Sequence, residues 1–149
     1  MVSQITFIER DLSEDELEQV RRGFIQNEIL NTRVHQTSDR YGFVALDGEN
    51  LIGCSSGLAY INGDEYNGWF YLTDLFIEKT YRGQGHGKRV LQKLEDKLIA
   101  LGIDKIYLWT AGFEAPEFYK KHGYEVFVEL ENYFKTGHSR LGMKKLLKS

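Results

Sequence analysis

Hydrophobic and polar residues alternate in several segments of the chain, which is the pattern of half-buried β-strands. Two turn signals, Asp47-Gly48 and Asn62-Gly63-Asp64, separate three of these segments, as expected for consecutive hairpins. We therefore predict strands at residues 4–9, 41–47, 51–60, 68–78, 105–109, 124–130 and 139–147. On this assignment the first half of the chain is mostly antiparallel sheet.

Apolar residues recur at helical spacing in three other segments. Ser13-Glu14-Asp15-Glu16 is a capping-box pattern and predicts a helix over about 14–30. A second helix is predicted over about 85–101, and a short third one over about 115–122, with Pro116 in its first turn. The order β-α-β-β-β-α-β-α-β-β predicts an α/β (α+β) fold in which helices pack on one mixed sheet.

The composition narrows the class of protein. The 149 residues predict one domain covering 1–149, and 42% hydrophobic with 28% charged residues is typical of a globular chain. The single cysteine, Cys54, excludes an intrachain disulfide and a zinc cluster built on thiolates. The sequence has neither a signal-peptide pattern nor an apolar run of membrane-spanning length. We therefore expect a soluble, cytoplasmic protein.

The net charge of −3 is unevenly distributed along the chain. Residues 1–78 carry a balance of −9, whereas residues 79–94 carry +5 and contain no acidic side chain. A short basic segment in an acidic chain favours a compact anionic ligand, because nucleic-acid binding calls for a broader basic face. We therefore expect no nucleic-acid partner, and a nucleic-acid module at 79–93 is the weaker alternative.

A glycine-rich segment, Tyr81-Arg82-Gly83-Gln84-Gly85-His86-Gly87-Lys88, connects an aromatic-rich strand to the second helix. Unpaired backbone N–H groups and the positive end of the helix dipole favour an anion at such a junction. The spacing fits neither a Walker A loop nor the dinucleotide pattern, because Arg82 and Lys88 stand where those motifs need glycine.

The spacing that does fit is Arg-x-x-Gly-x-Gly, formed by Arg82, Gly85 and Gly87. The strand before this segment and the helix after it are included in YLTDLFIEKTYRGQGHGKRVLQKLE, and APEFYKKHGYEVF follows downstream. Together these residues, about 70–128, resemble the GNAT N-acetyltransferase superfamily. The resemblance implies a mixed, mostly antiparallel sheet of six to seven strands with about four helices. It also implies that the fourth and fifth strands splay apart.

The resemblance implies acetyl-CoA as co-substrate and no metal. The pantetheine arm would lie between the splayed strands and pair with backbone groups of Leu75, Phe76 and Ile77, as an added strand would. The pyrophosphate would be held by the glycine-rich segment, and Ala115 of the downstream motif would complete the site. The implied pyrophosphate-binding residues are Arg82, Gly83, Gln84, Gly85, His86, Gly87 and Lys88.

The resemblance also implies catalytic roles for two side chains. Asp74, just before the cofactor-pairing segment, would accept the proton of the attacking amine, with Glu28 and Glu65 as alternatives. Tyr119 would donate a hydrogen bond or proton to the departing thiolate, unless it only fills the interface between helix and sheet. A backbone N–H of Leu75 or Phe76 would stabilise the oxyanion.

The implied function is direct transfer of acetyl from acetyl-CoA to a primary amine of a small molecule or peptide. The acidic balance of residues 1–78 predicts a cationic acceptor. Segments 23–40 and 60–68 would select it, with a contribution from the tail segment 132–140, and no membrane partner is expected. The alternative is a non-catalytic acyl-CoA-binding sensor of the same fold. A homodimer formed through the aromatic-rich segment 124–134 is compatible with the sequence.

Overall fold

The computed structural model describes residues 4–32 and 36–148. The chain divides into two compact units, one ending at His35 and one beginning at Gln36. The expectation of a single domain over 1–149 stays a prediction. Residues 33–35, within the predicted acceptor-selecting segment 23–40, lie outside the described residues. None of the described helices has the length and apolar character needed to cross a membrane.

The first unit contains one helix, α1 (Glu14–Thr32). The predicted capping box is confirmed: the Glu16 amide donates to Ser13 Oγ at 3.2 Å, and the Ser13 amide donates to Glu16 Oε1 at 2.8 Å. The predicted strand at 4–9 is wrong, because residues 4–13 have no regular secondary structure. A strand needs a hydrogen-bonded partner, and the described part of this unit contains no other strand.

The second unit is built on one six-stranded sheet. Its strands lie in the order β1-β2-β3-β4-β6-β5, and only the β3–β4 pair is parallel. Both predicted hairpin turns are confirmed, since β1 pairs with β2 and β2 with β3 in antiparallel fashion. The strands are β1 (Thr37–Asp47), β2 (Asn50–Asn62), β3 (Glu65–Ile77), β4 (Lys105–Ala111), β5 (Glu125–Leu130) and β6 (Arg140–Leu146).

Two α-helices and a short 3₁₀ helix (Lys79–Tyr81) follow strands of this sheet. Helix α2 (His86–Ala100) follows the glycine-rich segment, and α3 (Pro116–Lys121) follows β4. The apolar face of α2 is buried in the core with side chains of β3, β4 and β6. The predicted face of α2 is thereby confirmed at Val90, Leu91, Leu94 and Leu98.

The parallel pair β3–β4 separates along its length. These strands correspond to the fourth and fifth predicted strands, at 68–78 and 105–109, which the family resemblance implied would splay apart. The two strands pair only from Trp69 to Tyr71 on β3, although β3 continues to Ile77 and β4 to Ala111. A register shift on the β2 side leaves Thr73 as an extra residue in β3, which is a β-bulge. The end of β3 therefore has one edge paired with β2 and one edge free of strand partners.

Candidate active site

A cleft of about 830 Å³ lies beside the last residues of β3 and the start of α2. Three segments of the chain line it: the end of β3, the glycine-rich segment and helix α3 with the residues around it. The lining residues are Leu75, Phe76, Ile77, Tyr81, Arg82, Gly83, Gly85, His86, Gly87, Lys88, Ala115, Phe118, Lys121 and His122.

The backbone of the glycine-rich segment is shaped by two left-handed residues. Gly83 has φ +77° and Gly85 has φ +85°, a region that side chains with a Cβ rarely adopt. Gly85 is the N-cap of α2, and no side chain caps the helix there. The N–H groups of the first turn of α2 therefore lack partners within the helix and carry the positive end of its dipole.

The electrostatics of the cleft favour an anion. Three basic side chains line it, those of Arg82, Lys88 and Lys121, and none of the described lining residues is acidic. The pKa of His122 is lowered, first by burial and then by the charges of Lys88 and Lys145, so this side chain tends to stay neutral. An anionic group and an extended arm beside β3 are what this surface can accommodate.

Arg82 connects the glycine-rich segment to the strand that precedes it. Its Nε donates to the carbonyl oxygen of Ile77 at 2.8 Å, and its guanidinium carbon lies 5.9 Å from the ring centroid of Phe76. The Arg82 side chain thus contacts the last residues of β3 and also lines the cleft. The arginine of the sequence motif therefore has a structural contact in addition to its charge.

Ten of the eleven residues predicted to bind the cofactor line the cleft. The exception is Gln84, whose Nε2 lies 3.5 Å from the Thr80 carbonyl oxygen and whose Oε1 lies 3.3 Å from His86 Nε2. Sequence reasoning missed Phe118 and His122 as lining residues. A signal was present, because both share the helical spacing of Ala115, three and seven residues further on.

Tyr119 lies in the hydrophobic core and is not one of the lining residues. Its ring makes edge contacts with Phe118 and Tyr124, each at 5.5 Å between centroids. Among the described residues its hydroxyl has no hydrogen-bond partner. Burial, with a smaller contribution from Glu114, raises the pKa of Tyr119 to about 12.

Asp74 directly precedes the segment Leu75–Ile77. It is exposed and is not one of the residues that line the cleft. Its Oδ2 accepts from Thr73 Oγ1 at 2.8 Å and lies 3.8 Å from Nη2 of Arg40. The alternative base Glu65 stands nine residues earlier on β3, about 30 Å away at the rise of a strand. The other alternative, Glu28, belongs to the first unit.

A buried carboxylate behind the cleft was not anticipated from the sequence. Glu95 of α2 is 4% exposed and accepts from the Tyr124 hydroxyl and from Lys145 Nζ, both at 2.8 Å. Burial, with Glu95 as a further cause, raises the pKa of Tyr124. The available signal was that Glu95 stands four residues after Leu91 and three before Leu98, on the apolar face of the helix.

Comparisons with known proteins agree with this architecture. An "IAA acetyltransferase" of Azospirillum brasilense is 27% identical over 100 residues, which are 66% of this chain and 63% of that protein. The match thus spans less than two thirds of that relative. An acetyltransferase from Bacillus cereus ATCC 14579 superposes with a TM-score of 0.78 at 26% identity, covering 95% of this chain and 98% of the other.

A more distant solved structure shares the fold. An aminoglycoside 6'-N-acetyltransferase complexed with coenzyme A has a TM-score of 0.62 at 20% identity, over 92% of this chain and 82% of the other. The model of the Acetyltransferase (GNAT) family matches residues 5–124, which is most of the chain. With the splayed strands and the glycine-rich helix start already evident, this match establishes that the chain belongs to the Acetyltransferase (GNAT) family.

Proposed function

We propose that this protein transfers an acetyl group from acetyl-CoA directly to a primary amine of a small-molecule or peptide acceptor. The observation that carries the proposal is the cleft: basic side chains without a carboxylate, left-handed glycines and an uncapped helix start, all beside a free strand edge. Family membership supports the same activity. Such a cleft suits a ligand that is anionic at one end and amide-containing along its arm.

The chain's own groups account for both parts of such a ligand. The first-turn N–H groups of α2 and the Lys88 side chain would bind the pyrophosphate. Backbone groups of Leu75–Ile77, on the free edge of β3, would pair with the pantetheine amides, and Ala115 would contact the cofactor from α3. When bound, acetyl-CoA supplies an activated thioester. No metal is included in the proposal.

Two side chains would handle the protons. A primary amine with a pKa near 10.4 is mostly protonated at neutral pH, so Asp74, directly or through water, would accept its proton. Arg40 Nη2 lies 3.8 Å from Asp74 Oδ2, so a cation stands beside this carboxyl group. Tyr119 remains protonated up to about pH 12 and would donate a hydrogen bond to the departing sulfur. Leu75 or Phe76 would offer a backbone N–H to the oxyanion.

We infer a cationic acceptor from the distribution of charge. Residues 1–78 carry a balance of −9, and segments 23–40 and 60–68, which we expect to select the acceptor, lie within them. An aminoglycoside acetyltransferase among the structural relatives illustrates an amine-bearing acceptor for this fold. Activity confined to neutral or anionic amines would contradict the charge argument.

We also propose a cytoplasmic homodimer that uses the segment 124–134. β5 is an edge strand, and its exposed side chains include Val126, Phe127 and Leu130. An exposed apolar edge is a surface on which a second copy can pair. Light scattering coupled to gel filtration would test this: a monomeric mass at micromolar concentration contradicts the dimer.

The central test combines acetyl transfer to a panel of polyamines, aminoglycosides, amino acids and peptide N-termini with CoA titration by calorimetry. Lys88→Ala is expected to weaken CoA binding about tenfold, because a charge-assisted contact is lost. Lys93→Ala is the matched control, since it removes the same charge from an exposed position of α2 outside the cleft. CoA binding without turnover of any amine would favour the non-catalytic sensor, and absence of CoA binding would overturn the proposal.

A further inference from the structure

One side chain of the cleft is tied to a distant part of the chain. Tyr81 ends the 3₁₀ helix, is half-buried and lines the cleft. Its hydroxyl donates a hydrogen bond to the carboxylate of Asp47, 34 residues earlier. Asp47 is the last residue of β1, directly before the two-residue turn to β2, and it does not line the cleft. The contact therefore joins the tip of the β1–β2 hairpin to the entrance of the glycine-rich segment.

The other hydrogen bonds of the segment before α2 are local, since those of Tyr81, Arg82 and Gln84 reach residues no more than five positions away. The Glu78 amide, just before the segment, donates to the Ile52 carbonyl oxygen at 2.7 Å, and Arg82 Nε donates a hydrogen bond to the Ile77 carbonyl oxygen. The positions where a Cβ would stand at Gly83 and Gly85 have no heavy atom within 4 Å. Glycines lose more conformational entropy on ordering than other residues, so this segment is costly to hold in one shape.

The Tyr81–Asp47 hydrogen bond holds the chain directly before these glycines. Tyr81 directly precedes Arg82 and Gly83, and its ring lies 6.4 Å from that of His86, the first residue of α2. Hydrogen bonding to Asp47 is the largest cause of the raised pKa of Tyr81, so the phenol stays a donor at neutral pH. A binding segment that is held before the ligand arrives binds with less loss of entropy.

We propose that Asp47 is a positioning residue for the anion-binding segment, which it holds in its binding shape through the hydrogen bond with Tyr81. Asp47 itself would not contact the ligand. The expected consequence for CoA rests on the proposed function, whereas the ordering of the segment is a property of the ligand-free chain. The two can therefore be tested separately.

The first measurement is amide hydrogen exchange of the ligand-free protein. Asp47→Ala and Tyr81→Phe are each expected to speed exchange about three- to tenfold at the hydrogen-bonded amides of Arg82 and Arg89, because each variant removes the same charge-assisted hydrogen bond. The control is Tyr66→Phe, which removes another tyrosine–aspartate bond between β3 and β1, from Tyr66 to Asp39 at 2.9 Å, outside the cleft. Tyr66→Phe should leave exchange of the Arg82 and Arg89 amides unchanged.

The second measurement is CoA affinity by calorimetry. Asp47→Ala and Tyr81→Phe should each raise the Kd for CoA about three- to tenfold, and the double variant should be no weaker than either single one. Asp47→Asn keeps an oxygen acceptor for the Tyr81 hydroxyl and should restore most of the affinity. Tyr66→Phe should bind CoA as the wild type does. For Asp47→Ala, turnover at saturating acetyl-CoA should be preserved, since the residue acts on binding.

Each other outcome counts against the proposal. Unchanged exchange in Asp47→Ala overturns it, and so does faster exchange with an unchanged Kd, because the ordering would then have no effect on binding. Additive losses in the double variant would mean that Asp47 and Tyr81 act independently. If the wild type binds no CoA, the proposed function fails, and exchange alone decides whether Asp47 orders the segment.

Discussion

Tyr119 and Tyr124 are neighbouring buried tyrosines whose hydroxyl groups have opposite surroundings. The Tyr119 hydroxyl has no partner among the described residues, while the Tyr124 hydroxyl donates to the buried Glu95. Both pKa values are raised, chiefly by burial. At the residue scale, these surroundings favour Tyr119 for donation to a ligand and Tyr124 for a structural role.

Removal of each hydroxyl separates the two roles. Tyr119→Phe should lower kcat about 100-fold with little change in Tm, because proton donation is lost but no hydrogen bond among the described residues is broken. Tyr124→Phe should lower the free energy of unfolding by about 1–3 kcal/mol, because Glu95 loses a buried donor, while kcat is retained. Kinetics and thermal unfolding check both. A wild-type kcat in Tyr119→Phe would show that this tyrosine only fills the core.

The start of α1 should be sensitive to acid. Hydrogen bonds from Arg10 and then from Ser13 lower the pKa of Glu16 to about 2, from an ordinary value of 4.5. Because the folded pKa is the lower one, the stabilisation is present above pH 4.5 and is lost as the pH falls towards 2. NMR amide protection of residues 14–17 should decline over this interval. In Glu16→Gln the decline should be absent, and parallel decline in both proteins would refute the assignment.

At the scale of secondary structure, the end of β3 is shaped by its contact with β2. The β-bulge at Thr73 lies where Ser56 and Gly57 of β2 face it, and the single proton of the Thr73 hydroxyl is shared between Asp74 Oδ2 at 2.8 Å and the Ser56 carbonyl oxygen at 3.1 Å. Bulges bend and twist the strand that contains them. The bulge lies two residues after Tyr71, the last residue of β3 that pairs with β4, so we expect the opening of the cleft to depend on close contact between β2 and β3.

Gly57 is the position where that contact is tightest. A Cβ at Gly57 would lie 2.0 Å from the carbonyl oxygen of Tyr71, so the backbone of β3 would have to move. Gly57→Ala should lower the free energy of unfolding by about 1–3 kcal/mol and weaken CoA binding. Gly23→Ala, in the interior of α1, should instead stabilise by about 0.5–1 kcal/mol. Urea unfolding measures both, and equal stability of Gly57→Ala and wild type would contradict the tight contact.

On the scale of the second unit, one partly buried charge pair joins elements that are distant in sequence. Glu95 of α2 accepts from Lys145 of β6 and from Tyr124, which directly precedes β5. The Lys145 ammonium also lies 5.5 Å from the Tyr124 ring centroid. Because α2 begins at the glycine-rich segment, this network anchors the helix whose N-terminus forms part of the cleft.

Loss of one partner should be more harmful than replacement of both. Lys145→Met leaves the Glu95 carboxylate buried without its cation and should cost about 3 kcal/mol of unfolding free energy. In the double variant Glu95→Gln with Lys145→Met, the glutamine still accepts from Tyr124, and most of the loss should be recovered. Chemical denaturation of the three proteins measures this. A double variant no more stable than Lys145→Met would contradict the charge argument.

Most secondary structure could be predicted from local signals. The second helix was expected over about 85–101 and spans His86–Ala100, and the turn at Asp47-Gly48 joins the predicted hairpin. Helical periodicity and turn chemistry are properties of a few consecutive residues, so they can be recognised in the sequence. The strand at 4–9 was mispredicted because its formation depends on a partner strand, which local alternation cannot reveal.

The sequence by itself determined the family, the glycine-rich segment and ten of the residues that line the cleft, since these depend on short-range spacing. Only the tertiary structure decided that the Tyr81 side chain lines the cleft and that Asp47 reaches it. It also decided that Glu95 is buried with Lys145, 50 residues away. Such contacts arise when the sheet brings distant segments together, and that pairing is not encoded in the periodicity of any one segment.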